Sequence, residues 1–199
     1  MAFSATAFKS NLSKAGGGAR PALYRVNISS TVAGVPAVED SESLLVKAAA
    51  LPASNIAPLT VNYSGRAYKW QGFRTYDIWN VTVINDENFS IRNKMMHWMK
   101  AISGQLDGKR TSADGDPTGN SAGGTYLDGE AIITQVGVGG TDVQSYKLYN
   151  LWPTELGEIA LDWSSDIIQE YTIGFCYDYF SSGKNASVKD VVKPDPKLG

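Results

Sequence analysis

Gly119-Asn120-Ser121-Ala122-Gly123 has the spacing of a Gly-x-Ser-x-Gly nucleophile elbow, in which a strained turn lifts a serine hydroxyl toward a histidine base. That chemistry needs an apolar strand before the turn, a helix after it and a histidine further along the chain. Here Asp114-Gly115-Asp116-Pro117-Thr118 precedes the motif, and the single histidine, His97, lies upstream. The spacing is read as coincidence. Asp114, Asp116 and Gly119 also fall at positions one, three and six of a calcium loop, but Pro117 intrudes and Thr125 stands where a bidentate glutamate is required. His97 has no Cys or His set around it for zinc, and no indicated partner to orient it as a general base. Gly16-Gly17-Gly18-Ala19 lacks the Lys-Ser/Thr of a phosphate loop and reads as a flexible joint. Six carboxylates, Glu155, Glu158, Asp162, Asp166, Glu170 and Asp178, could supply the acid pair of a glycosidase, yet nothing sets their separation. The expectation is no enzyme, no metal and no cofactor.

Those six acids matter in another way. From Leu151 to Phe180 they stand without a single Lys or Arg, whereas residues 1–38 carry Lys9, Lys14, Arg20 and Arg25 and no acid. Opposite patches on one chain suit a head-to-tail contact, in which one surface meets a different surface of the next copy. Lys9, Lys14 and Arg20 on one side, and Glu155, Glu158, Asp162 and Asp166 on the other, are the expected contact residues. The net charge of −2 gives no nucleic-acid footprint. Charged residues make up only 19%, fewer than the usual quarter or so, as expected of a surface partly covered by neighbours. The lone Cys176 cannot form an intrachain disulfide, and no apolar run is long enough for a membrane span.

The elements that must carry these groups are mostly strands. Residues 1–18 form a polar arm, followed by strands at about 22–29 and 43–50, the second ended by Leu51-Pro52. Leu59, Val61 and Tyr63 alternate with Thr60, Asn62 and Ser64; after Ser64-Gly65, Tyr68 and Trp70 alternate with Lys69 and Gln71. This predicts a hairpin with one aromatic face and one polar face. Trp79, Val81 and Val83 mark the inner face of a strand at about 76–84. One helix is predicted at about 86–103, capped by Asn85 or Asp86 and stopped by Gly104. Its residues Ile91, Met95, Trp98, Met99 and Ile102 form a core-facing stripe, joined in the core by Trp79. The segment 104–129 is a Gly/Asp-rich loop insertion, and 130–138 with 143–152 make a second hairpin turned at Gly139-Gly140. A last strand at about 168–180 sets Tyr171, Ile173, Phe175, Tyr177 and Tyr179 on one face, and 181–199 is a tail. The fold class expected is mainly β (α+β): an antiparallel sandwich or barrel with one packed helix, the main domain spanning 19–180.

Three ordered blocks carry a family resemblance. Ala19-Arg20-Pro21 leads into Leu23-Tyr24-Arg25-Val26-Asn27-Ile28; Lys47-Ala48 and Ala50-Leu51-Pro52 precede Gly72, Arg74-Thr75, Asp77, Trp79, Val81-Thr82-Val83 and Asn85-Asp86-Glu87. Last comes Leu151-Trp152-Pro153-Thr154-Glu155-Leu156-Gly157-Glu158-Ile159-Ala160-Leu161-Asp162-Trp163, with Asp178-Tyr179 behind it. Together they resemble the tail tube proteins of contractile-tailed bacteriophages. The chain departs from that pattern in its longer 104–129 insert and its longer C-terminal tail.

The resemblance implies a structural virion protein, assembled in the host cytoplasm. Copies would form hexameric rings that stack into a hollow tube, through which DNA passes. It implies a sheath outside, a tape-measure protein and transiently DNA in the lumen, and baseplate and terminator proteins at the ends. Hairpins of neighbouring subunits would join into a closed inner barrel, with Thr60, Asn62, Ser64, Lys69 and Gln71 lining the channel. A tube subunit of a phage-like bacteriocin or other injection machine fits the same pattern. A third reading, from another class, is a carbohydrate-binding sandwich that stacks sugars on Trp70, Trp79, Trp152 and Trp163.

Overall fold

In Trp79-Asn80-Val81-Thr82-Val83 every second side chain is apolar, and these alternate residues are the buried ones in the computed structural model, which describes residues 4–14, 16–30, 37–38, 40–103 and 129–183. Burial alternates in the same way in β1 (Tyr24–Ser29); β2 (Val46–Ala49), β3 (Asn55–Tyr63) and β4 (Arg66–Thr75) lie between it and β5 (Trp79–Ile84). Beyond the insert come β6 (Gly129–Val136), β7 (Asp142–Leu156), β8 (Glu170–Cys176) and β9 (Tyr179–Gly183). Three helical segments accompany them: α1 (Ala5–Lys14), the single turn α2 (Asp40–Ser43) and α3 (Ser90–Ile102). Every strand pairing is antiparallel. A seven-stranded sheet runs β1-β6-β7-β8-β5-β2, with β9 also on β7, and β3-β4 form a sheet of their own.

At 15 residues β7 serves two halves of the sheet. Ser145–Tyr149 pairs with β9, and Trp152–Leu156 with β8. Between them Asn150 takes a left-handed φ of 55°, and its amide donates to Asp178 at 2.6 Å. A left-handed residue inside a strand is uncommon, and here the chain turns from one half to the other. One half is therefore β1-β6-β7-β9, and the other β7-β8-β5-β2. The Tyr24 hydroxyl donates to the Val46 carbonyl at 2.9 Å, linking outer strands β1 and β2.

The core lies on the inner faces of both halves and under α3. Val26, Ile133, Leu148, Val81, Ile173 and Phe175 meet Ile91, Met95 and Trp98 from the helix. Met99 and Ile102 are half-buried at the edge of that stripe. Gly129 is required where it stands. A Cβ there would come within 2.1 Å of the Leu151 carbonyl oxygen and 2.5 Å of the Trp98 ring.

Several expectations change. The helix starts at Ser90 rather than 86, because Phe89 takes a left-handed φ of 54°. Asp86 still caps it, its carboxylate accepting the Ser90 N–H at 2.9 Å and the Ser90 hydroxyl at 2.6 Å. Asp86 and Glu87 thus precede the first turn. Within the polar arm, Ala5–Lys14 is helical, with no buried residue. Gly17 donates to Leu12 and Gly16 to Ser13, so two left-handed glycines close this helix in a Schellman motif. The expected last strand is two strands, β8 and β9, separated at Tyr177-Asp178 opposite the bend in β7. The second hairpin, β6–β7, lies inside the sheet: β1 covers β6, while β8 and β9 cover β7. The insert as far as residue 128, with its Gly119–Gly123 motif, Asp114 and Asp116, lies outside the described residues, as does the tail beyond Gly183.

Candidate subunit interface

No cluster of three or more His, Cys, Asp or Glu could hold a metal among the described residues. His97 is exposed on α3, and Glu155, Glu158, Asp162 and Asp166 are exposed too. The unusual features are uncovered apolar surfaces.

The first is the β3–β4 hairpin. Ser64 and Gly65 have φ of 50° and 76°, the two left-handed residues that a two-residue hairpin turn demands. Register sets Leu59 opposite Trp70 and Val61 opposite Tyr68; on the other face Thr60 meets Lys69, Asn62 meets Ala67, and Pro58 meets Gln71. Ser64 belongs to the turn and to neither face. Near the base, Gly72 admits no side chain, since a Cβ would sit 2.3 Å from the Ala57 carbonyl oxygen. The aromatic face is not packed on the sandwich among the described residues. Tyr63, Trp70 and Phe73 are 74%, 63% and 90% exposed, and Leu59, Val61 and Tyr68 are exposed with them. The reason is topological: neither strand pairs with the seven-stranded sheet. An isolated two-stranded hairpin is marginal in water, and a patch of this kind marks an interaction surface.

The second is the segment between β7 and β8. Leu161, Ile167 and Ile168 are exposed, and Trp163 projects wholly into solvent at 102%. Asp162 fixes the turn beneath that tryptophan, accepting the Ser164 N–H at 2.9 Å and the Ser164 hydroxyl at 2.7 Å. These hydrogen bonds hold the Asp162 carboxyl below its usual pKa. An open groove of about 1090 Å3 is lined by Ile159, Leu161, Trp163, Ile167 and Ile168.

The charge asymmetry is partly used inside the chain. Arg25 pairs with Asp142 at 2.5 Å and Glu170 with Lys47 at 2.6 Å. Lys9, Lys14 and Arg20 are exposed without an ion pair among the described residues, as are Glu155, Glu158, Asp162 and Asp166. Two of the four tryptophans considered for sugar stacking are in solvent, Trp70 and Trp163, but Trp79 is a core residue whose ring N–H donates to Ala50.

A third surface escaped the sequence reading. Turned away from the core, the β1-β6-β7-β9 half presents Arg25, Asn27 and Ser29 beside Glu130, Thr134 and Lys147. Thr134 and Ser145 share a hydrogen bond at 3.2 Å. Lys147 is buried, paired with Glu130 at 2.7 Å and set 5.0 Å above the Tyr149 ring. Tyr149 in turn stacks on Tyr179 at 4.8 Å. The alternation of Arg25, Asn27 and Ser29 with Val26 and Ile28 was the available signal.

The chain is similar to known proteins. The chain is 29% identical to tail tube protein gp19 of Enterobacteria phage T4 over 163 residues, covering 81% of this chain and 90% of that one. It is 27% identical to the tail tube protein of Serratia phage KSP90 over 173 residues, covering 85% and 92%. The fold is similar to a chain of the anti-feeding prophage baseplate, with a TM-score of 0.56 at 9% identity, covering 83% of this chain and 95% of that one. The sequence profile of the family described as "Phage tail tube protein" matches residues 19–182, and the chain belongs to that family.

Proposed function

We propose that copies of this chain close into six-membered rings, and that the rings stack into the hollow tube of a contractile tail, through which DNA passes. The observation that carries this reading is the β3–β4 hairpin, folded, apolar on one face and uncovered among the described residues. Neighbouring copies along a tube would cover it in every subunit. A sheath lies outside the tube; a tape-measure protein and then DNA occupy the lumen; baseplate and terminator proteins bind the two ends. Opposite patches, Lys9, Lys14 and Arg20 against Glu155, Glu158, Asp162 and Asp166, add charge attraction between copies.

Ring closure joins strands of neighbouring copies into one barrel, which removes every open edge. Since β6–β7 is interior, the edge strands of the β1-β6-β7-β9 half are β1, whose Ile28 carbonyl already accepts the Val38 N–H, and β9. For the lumen wall, one reading keeps the polar hairpin face, Thr60, Asn62, Lys69 and Gln71, with Ser64 at its tip. A second is favoured by the ion-paired polar face of the four-stranded half. There Arg25 is neutralised by Asp142 and Lys147 by Glu130, leaving no free base to hold phosphate. Affinity for DNA rests on phosphate neutralisation, so such a wall lets the polymer slide.

Thiol labelling tests both, in a Cys176→Ser background. Bulky reagents should modify Thr60→Cys and Ser29→Cys in free subunits. In assembled tubes, protection confined to one of the two identifies the lumen wall. Equal modification of both positions in free and assembled protein would contradict a hollow tube built from either surface.

A further inference from the structure

The two uncovered apolar surfaces differ in charge. Residues 55–75 of the hairpin hold no carboxylate and three bases, of which Arg66 lies on the aromatic face and Lys69 and Arg74 on the other, whereas residues 157–169 hold Glu158, Asp162 and Asp166 and no base. We infer that the aromatic face of the β3–β4 hairpin seats in the groove at Leu161 and Trp163 of a second copy of this chain. This deepens the tube reading and rests on it.

Shape and register support the pairing. Arg66 lies on the same face as Tyr68 and Trp70, because residues two apart in a strand share a face. The apolar ridge Leu59, Val61, Tyr68 and Trp70 therefore carries a cation at the turn end. The receiving groove is lined by the apolar Ile159, Leu161 and Ile168, with the carboxylates of Asp162 and Glu170 also in its lining. Trp163 is held outward by the Asp162–Ser164 turn, so little ordering remains to be done on docking. The chain's own hairpin does not fill this groove, since Trp163 and Trp70 are both in solvent. The contact joins two different surfaces, so in a ring or tube it propagates from copy to copy. Buried aromatic and arginine side chains are the usual centres of binding energy, and both are present here.

A photoreactive side chain in place of Leu161 tests the contact in tubes assembled from equal parts of isotopically light and heavy chains. The expected result is cross-linked peptides that join this position to residues 55–75 of the other isotope. A second arm uses Trp70→Ser, which should raise the concentration needed for assembly at least tenfold while leaving subunit melting unchanged. Intact tubes whose cross-links fall only elsewhere, or only within one chain, overturn the docking and leave the tube reading standing. Unaltered assembly of Trp70→Ser overturns it as well. Failure of the unsubstituted chain to form rings or tubes at any concentration would overturn both.

Discussion

Replacing Trp98 with alanine removes the side chain that joins α3 to both halves of the sheet. Trp98 is 1% exposed, its ring centroid lies 6.4 Å from that of Phe175, and it rests on the bare backbone of Gly129. A tryptophan buries roughly 150–250 Å2, which at about 25 cal/mol per Å2 gives about 4–6 kcal/mol of transfer free energy. Alanine retains a methyl group and the walls relax in part, so the expected loss is about 3–5 kcal/mol. Gly129→Ala cannot refill the space, because its Cβ would clash with the Leu151 carbonyl first. For a chain of this size the loss lowers the melting temperature by about 6–20 °C. The assay is thermal unfolding of the free subunit, followed by circular dichroism. Met96→Ala on the exposed side of the same helix is the control, expected within about 0.5 kcal/mol of the parent. Equal melting of the two variants would refute the placement of α3 in the core.

Tyr171 and the N-terminal arm give two further tests. Burial raises the Tyr171 pKa well above the ordinary value of about 10, with the nearby Arg92 opposing the shift. The folded state thus keeps its proton after the unfolded state has lost it. The contribution is whole below about pH 10, and falls by about 1.4 kcal/mol per pH unit above that, until the folded group itself ionises. Tyr171→Phe should flatten alkaline denaturation curves and barely alter stability at neutral pH; an unchanged alkaline slope would reject the assignment. Deleting residues 1–18 removes Lys9 and Lys14 and should weaken ring stacking more than ring closure, with the difference shrinking near 1 M salt, where screening acts beyond about 3 Å. Tubes of unaltered length and yield at low and high salt would reject electrostatic docking by the arm.

How much of this was legible in the sequence depended on the range of the forces involved. Period-two alternation located the hairpin at Ser64-Gly65 and the inner face of β5, because strand patterning is local. The 3.6-residue stripe located α3, but its start moved to Ser90 because Phe89 adopts a left-handed conformation that no propensity announces. Alternation could not say what each face packs against. The aromatic face of the hairpin reads like any sandwich strand, yet its residues are largely exposed among the described residues. The split of the last strand at Tyr177-Asp178 answers the bend at Asn150, almost thirty residues earlier, a long-range constraint invisible to local patterning. The polar face of β1-β6-β7-β9 was missed for the same reason: Arg25, Glu130 and Lys147 become neighbours only through strand pairing.

Electron microscopy of the purified chain at rising concentration tests the central claim most directly. The account predicts six-fold rings that stack end to end into hollow tubes of uniform diameter, with an open lumen in every class average. A protein that stays monomeric at all concentrations, or that assembles into filaments without a lumen, would contradict it.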